Sequence, residues 1–170
     1  MPVTPLHFGP GGAMYALAPR HISLLAFCTA NVLIDLEPLY YMQFDQGSLH
    51  RFFHTYIGAT VIAAATVLMF MSALKLATWT SLPNPFQWQA LKPFQVITGA
   101  VIGSYSHIVL DSVMHADIRP WSPFSEANGL YRIISLDLLH SFCVWSGVAA
   151  LVVIMARRLM QGSAKQPDDD

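Results

Sequence analysis

Residues 99–115 read GAVIGSYSHIVLDSVMH, an apolar run in which Gly99, Gly103, His107, Asp111 and His115 recur every four residues. On a helix this spacing places all five residues along one gently winding stripe. Two glycines four residues apart allow a second helix to approach closely. The run therefore predicts a helix whose ionisable side chains point into its contact with a neighbouring helix.

The rest of the chain is also strongly apolar. Of its 170 residues, 54% are hydrophobic and 11% are charged, whereas soluble domains carry about 25% charged residues. Residues 21–42, 52–80, 94–115 and 133–156 are each about as long as the ~20 residues of a spanning helix, and the apolar run 10–18 is half as long. We expect an all-α, multi-pass membrane helical bundle with four spanning helices and a half-length N-terminal helix. One integral membrane domain is predicted over residues 1–161, followed by a disordered polar tail over 162–170.

The basic residues are unevenly distributed between the two ends of these segments. One side carries Arg20, Lys75, Lys92, Arg157, Arg158 and Lys165, and the other carries Arg51, Arg119 and Arg132. Because basic residues are enriched on the cytoplasmic side, the asymmetry predicts a multi-pass membrane protein with a cytoplasmic C-terminus. Membrane lipids are its expected partners. The sequence has no basic patch that would indicate nucleic-acid binding.

Ionisable side chains inside membrane segments are costly and usually functional. His107 and Asp111 lie one helical turn apart, so their imidazole and carboxylate could bind one zinc or manganese ion. His115 is ~12 Å from His107 along the helix axis, too far to share that ion. The alternative is a packing stripe whose polar members hydrogen-bond to neighbouring helices.

Two histidines at the start of the second segment form another candidate cluster. His50 and His54 are expected one turn apart on a helix that begins near Arg51, with Gly58 on the same stripe. Gly58 and Gly103 would then let the second and third segments pack closely. Arg51 could hold an anionic group of a substrate. The alternative is that these residues anchor the helix at the membrane interface.

Carboxylates close the first segment at the same membrane level. Asp35 and Glu37 precede Pro38, which predicts that the helix stops at Leu36 or Glu37. Both carboxylates could then face one site. The alternative is a polar helix end in contact with water. On the fourth segment, Asp137 and His140 could orient a ligand imidazole or pair with each other.

Together these motifs resemble the bacterial inner-membrane proteins known as membrane-bound metal-dependent hydrolases. The similar motifs are Thr4-Pro5-Leu6-His7, Asp35-Leu36-Glu37, His50-Arg51 with His54-Thr55, residues 103–111, and Arg119-Pro120-Trp121-Ser122-Pro123. Their order and membrane placement agree with that family over most of residues 4–125. The resemblance implies hydrolase activity and a location in the inner membrane.

We therefore expect a divalent metal ion, zinc or manganese, at the outer membrane face. Its expected ligands are His7, Asp35, His54, His107 and Asp111, and His50 is the next candidate ligand. Glu37 is the candidate general base, because a carboxylate beside metal-activated water can accept a proton, and Arg51 is expected to steady an anionic group. The expected substrate is a phosphoester or a lipid-linked compound.

Two other interpretations remain open. The first is a non-enzymatic membrane protein that handles protons or metal ions through its His and Asp side chains. The second is a structural membrane subunit with an unreactive polar core.

Overall fold

The computed structural model describes residues 4–44 and 48–163, and every regular element in these ranges is helical. The five α-helices are α1 (Phe8–Leu17), α2 (Leu24–Gln43), α3 (Tyr56–Ala77), α4 (Pro93–Met114) and α5 (Leu136–Ser163). Short 3-10 turns cover Thr4–His7, Phe52–His54 and Pro85–Ala90. The all-α prediction is confirmed. Helix α5 includes the first two residues of the predicted tail, and residues 164–170 lie outside the described ranges.

Three helices have the length and apolar composition of membrane spans, namely α3, α4 and α5. Helix α2 has 20 residues, enough to reach across a bilayer core, but it carries Asn31, Asp35 and Glu37. Three of the four predicted spans are thus identified by length and composition.

Helix α4 packs against α2 through its glycines. A Cβ atom on Gly99 would lie 2.3 Å from the carbonyl oxygen of Ser23, and one on Gly103 would lie 2.7 Å from the carbonyl oxygen of Phe27. A side chain at either position would push the two backbones apart. The stripe predicted from the sequence therefore does face a neighbouring helix, and that helix is α2.

Gly58 has a different role from the one predicted. A Cβ atom on Gly58 would lie 2.0 Å from the carbonyl oxygen of Phe52 and 2.7 Å from the Cα atom of Phe53. Gly58 therefore makes room for the turn that precedes α3, and Gly103 faces α2. The prediction that these two glycines bring α3 and α4 together was wrong, because each one meets a different backbone.

Helix α3 begins five residues later than predicted. Thr55 has extended dihedral angles (φ −115°, ψ 161°), and its side chain accepts a hydrogen bond from the backbone N–H of Gly58 at 3.0 Å. This is the geometry of an N-cap residue, so the helix starts at Tyr56. His50 and His54 consequently lie outside the helix, and the prediction that they share a helical stripe was wrong.

Pro38 does not end α2, so the predicted stop at Leu36 or Glu37 was also wrong. The helix continues to Gln43, with Pro38 buried inside it. Proline removes only one backbone hydrogen bond, the one to the carbonyl of Ile34. Packing against neighbouring helices lets such positions persist in membrane proteins. Asp35 and Glu37 are therefore both held on regular helix.

Helix α1 packs mainly along α5 and also contacts α2. A Cβ atom on Gly9 would lie 1.9 Å from the carbonyl oxygen of Cys143 on α5. One on Gly11 would lie 2.2 Å from the ring of Phe27 on α2. The half-length helix is thus fixed on two sides, which positions His7 at its N-terminal end.

We expect Gly99→Ala to destabilise the bundle, because the new methyl group would collide with the backbone of Ser23. Overpacking of this kind costs about 1–3 kcal/mol of unfolding free energy. The matched control is Gly129→Ala, since no atom lies within 4 Å of a Cβ there; its effect should stay within about 0.5 kcal/mol. Denaturation of both variants in detergent measures the difference. Equal stabilities would contradict the close α2–α4 contact.

Candidate metal centre

Four side chains from three elements converge near one end of α4. This primary cluster comprises Asp35 of α2, His54 of the turn before α3, and His107 and Asp111 of α4. One ligand atom from each residue lies within 4.8 Å of the other three. The four residues are between 0% and 4% exposed. The expectation that Asp35 and Asp111 reach a common point is confirmed.

The imidazole nitrogens of the primary cluster point at its carboxylates. His107 Nε2 lies 3.1 Å from Asp111 Oδ2 and 3.3 Å from Asp35 Oδ1. His54 Nε2 lies 3.5 Å and 3.8 Å from the same two atoms. Neither Nε2 atom has a hydrogen-bond partner within the described chain, and both are buried. Ligand atoms about 2.1 Å from a tetrahedral ion lie about 3.4 Å from one another, so these spacings suit a bound metal ion.

Asn31 determines which nitrogen of His107 carries its proton. The amide nitrogen of Asn31 donates to the carbonyl oxygens of Phe27 at 2.8 Å and Gly103 at 3.4 Å. Its amide oxygen therefore faces His107, whose Nδ1 lies 3.0 Å away. An oxygen can only accept, so Nδ1 donates, and in the neutral ring Nε2 directs its lone pair toward the primary cluster.

Glu37 orients His54 in a comparable way. Its Oε2 accepts hydrogen bonds from the backbone N–H groups of Phe53 at 3.0 Å and Arg51 at 3.2 Å. The same oxygen lies 3.4 Å from Nδ1 of His54. Glu37 thus fixes the turn before α3 and leaves Nε2 of His54 facing the cluster. Because this carboxylate is on the Nδ1 side of the ring, its position favours a positioning role over the general-base role predicted from the sequence.

The other predicted residues flank the primary cluster. His7 Nε2 is 3.0 Å from Asp111 Oδ1, and its ring centre is 4.6 Å from that of His107. Its two ring nitrogens are buried without a hydrogen-bond partner in the described chain. The exposed Arg51 lies at the rim, where its guanidinium carbon is 3.7 Å from the ring centre of Tyr41.

A second set of ligand atoms adjoins the first. We call it the rim group; it comprises His50, Asp111 and His115, whose ligand atoms lie within 4.8 Å of one another. The predicted ligand His50 therefore belongs to this group. His107 and His115 are in different groups, as their axial separation led us to expect.

Asp117 holds the ring of His50. Its carboxylate oxygens lie 3.0 and 2.9 Å from His50 Nδ1. Burial lowers the pKa of His50 and also that of His115, which favours the neutral form of both rings. Burial disfavours ionised Asp117, but its hydrogen bond with His50 outweighs this and lowers the pKa of Asp117.

Two of the positioning residues were missed by sequence reasoning. Asn31 stands one helical turn before Asp35 in an apolar segment, and a polar amide at that spacing is a detectable signal. Asp117 lies in the connection after α4, where no periodicity identifies it. On the fourth segment, Asp137 is exposed and His140 is half-buried; the partners of the cluster histidines are instead Asn31, Glu37 and Asp117.

The full chain, residues 1–170, matches the family described as a domain of unknown function, DUF4184, and the chain belongs to that family. No curated protein and no solved structure matches it. Its function is therefore argued from the geometry of the site.

Replacing Asn31 with Ala should weaken metal binding about 10–100-fold, because partners that fix a ligand imidazole contribute that much to affinity. The matched control is Thr66→Val. Thr66 is equally buried but bonds only to the Ile62 carbonyl of its own helix. Competition with a chromophoric chelator measures both affinities. Equal affinities in Asn31→Ala and the wild type would mean that Asn31 does not orient a metal ligand.

Metal affinity should rise with pH. Burial disfavours charged His54, but the carboxylates of Asp111, Asp35 and Glu37 outweigh it and raise the pKa of His54 to about 10. Without a metal ion the ring is therefore protonated at neutral pH. An ion binds only the neutral ring, so the affinity should increase about tenfold per pH unit for each displaced proton. Chelator competition between about pH 6.5 and 8.5 tests this; an affinity independent of pH would contradict it.

Proposed function

We propose that this chain is a membrane-embedded metal-dependent hydrolase. The primary cluster would hold a divalent ion, zinc or manganese, and the substrate would be a phosphoester or a lipid-linked compound at the outer membrane face. The observation that carries the proposal is the pair of Nε2 atoms in His54 and His107. Both atoms are buried, face the carboxylates of Asp35 and Asp111, and have no hydrogen-bond partner among the described residues. Imidazole and carboxylate ligands suit both metals.

The residues around the cluster support a metal centre in particular. Asn31 and Glu37 occupy the outer nitrogens of the two histidines and direct the inner nitrogens to one point. A divalent ion that keeps an open coordination position in this site would lower the pKa of a bound water molecule and polarise a phosphoryl oxygen. The exposed guanidinium of Arg51 would attract an anionic substrate group to the rim.

The position of the cluster along the helices supports a substrate at the membrane surface. His54 precedes the first residue of α3, and Asp111 lies in the last turn of α4. If α2 is the fourth span, the chain alternates in direction from α2 to α5, and a cytoplasmic C-terminus puts this end of α3 and α4 outside. The parallel contact of α2 with α4 supports that fourth span. A site at headgroup depth suits a lipid-linked substrate.

The resemblance to membrane-bound metal-dependent hydrolases supports the same activity. Three of the motifs that carry it supply the four residues of the primary cluster: 35–37, the His50-Arg51 and His54-Thr55 pair, and 103–111. These motifs are far apart in the sequence, and their residues converge at one site.

A non-enzymatic function in proton or metal-ion handling is the second candidate. The observation that favours it is the surroundings of the His54 imidazole, whose nitrogens lie 3.4 Å from Glu37, 3.5 Å from Asp111 and 3.8 Å from Asp35. Three carboxylates at these distances would stabilise a proton on the ring in the absence of a metal ion. Buried His and Asp side chains in membrane segments also form proton relays.

Activity assays distinguish these functions. The full chain, purified in detergent and loaded with zinc or manganese, should hydrolyse at least one member of a panel of phosphoesters that includes lipid-linked phosphates. His107→Ala should lose the metal and lower the rate by more than ~100-fold. The matched control, His21→Ala, removes an exposed histidine beside Phe94 at the other end of α4 and should retain both. Metal binding without turnover would favour ion handling, and absence of bound metal would overturn the metal centre.

A further inference from the structure

We infer that the site holds two divalent ions and that the second ion, in the rim group, is the one that meets the substrate. The inference rests on the proposed metal centre, since the two positions share Asp111. His50, His115 and Asp111 would bind the second ion. Their ligand atoms satisfy the same spacing as those of the primary cluster, all within 4.8 Å of one another.

The orientation of His50 supports this position independently. Both carboxylate oxygens of Asp117 lie within 3.0 Å of His50 Nδ1, and the same carboxylate accepts from the backbone N–H of His50 at 3.4 Å. Nε2 therefore remains available to a metal ion. The carboxylate of Glu37 likewise lies 3.4 Å from Nδ1 of His54. Pairing of a carboxylate with the outer nitrogen of an imidazole is characteristic of metal-ligating histidines.

Asp111 has enough ligand capacity to serve both positions. Its Oδ2 atom faces His107 and His54, whereas Oδ1 lies 3.0 Å from His7. A carboxylate has two oxygens with about four lone-pair sites, so it can contact two ions at once. Paired metal sites in hydrolytic enzymes have their ions about 3.5–4 Å apart.

The two positions differ in their number of protein ligands. The primary cluster provides four, from residues that are at most 4% exposed. The rim group provides three, and His115 is half-buried. Four protein ligands close a tetrahedral site, whereas three leave a position for water or substrate. This geometry assigns the substrate to the rim ion and an organising role to the inner ion.

Solvent reaches the site from the side of the rim group. The side chain of Asp117 is 40% exposed, whereas that of its partner His50 is 5% exposed. The residues of the primary cluster lie deeper, beside the apolar core formed by Ala30, Ile34, Ala59, Ile62 and Ile108. A substrate that approaches from the membrane surface would therefore reach the rim group first.

Metal stoichiometry tests the inference on the purified full-length chain. After treatment with a chelator and reloading with Mn²⁺, the wild type should contain two ions per chain and give the electron paramagnetic resonance spectrum of an exchange-coupled pair. His115→Ala should contain one ion and give the spectrum of an isolated ion. The matched control, His140→Ala, changes a half-buried histidine of α5 and should keep two ions and the coupled spectrum.

A second variant, Asp117→Asn, tests the same position if His115→Ala does not fold. Asp117→Asn should weaken the second ion about 10–100-fold without changing the affinity of the first. One ion in the wild type, with its affinity unchanged in both variants, would overturn the second position and leave the proposed metal centre standing. No ion in the wild type would overturn both.

Discussion

The close, parallel contact between α2 and α4 is the constraint on which the site depends. Glycine at two positions of α4 lets the backbones approach to a distance that no side chain would permit. The contact then proceeds upward in steps of four residues, with a constant offset of 76 between partners. The successive levels pair Ser23 with Gly99, Phe27 with Gly103, Asn31 with His107, and Asp35 with Asp111. The lower two levels hold the backbones in close contact, whereas the upper two bring together the polar side chains of the site.

This register explains how two helices can place a cluster of His and Asp side chains, compatible with metal binding, inside an apolar bundle. Burying Asp35 and Asp111 as bare anions costs several kcal/mol for each charge, yet both residues are at most 4% exposed. One divalent cation neutralises both charges. Two protons, one on each of His54 and His107, would do so as well. The cluster is therefore electrically neutral in either state, and a metal ion and protons compete for the same ring nitrogens.

The sequence predicted the parts of the site that follow from helical periodicity. The stripe from Gly99 to Asp111 was predicted because residues spaced four apart lie on the same face of a helix. The all-α architecture was predicted from the lengths of the apolar segments. The predicted end of α2 before Pro38 was wrong, because packing in the bundle outweighs the local preference of proline to end a helix. The start of α3 was misplaced, because the Thr55 cap competes with an apolar run that continues on both sides.

The positioning residues were harder to predict, because they act at a distance in sequence. Glu37 reaches the backbone of residues 51 and 53, and Asp117 reaches His50 across 67 positions. Such contacts depend on how the connections fold over the end of the bundle, about which periodicity says nothing. Their effect is nevertheless specific, since each fixes one ring nitrogen of one histidine.

Helix geometry also explains the two histidines on either side of Asp111, one within α4 and one at its C-cap. His107 lies one turn below that carboxylate and His115 one turn above it, so the two histidines are ~12 Å apart along the axis. That distance prevents them from sharing an ion. It does not prevent each of them from sharing Asp111, which is within ligand spacing of both. A four-residue spacing of His, Asp and His at the end of a helix, with the last residue as its C-cap, therefore suits two adjacent positions with a common carboxylate, provided that other elements supply the remaining ligands. In the proposed pair of sites, Asp35 and His54 would supply the remaining ligands of the lower position and His50 that of the upper one.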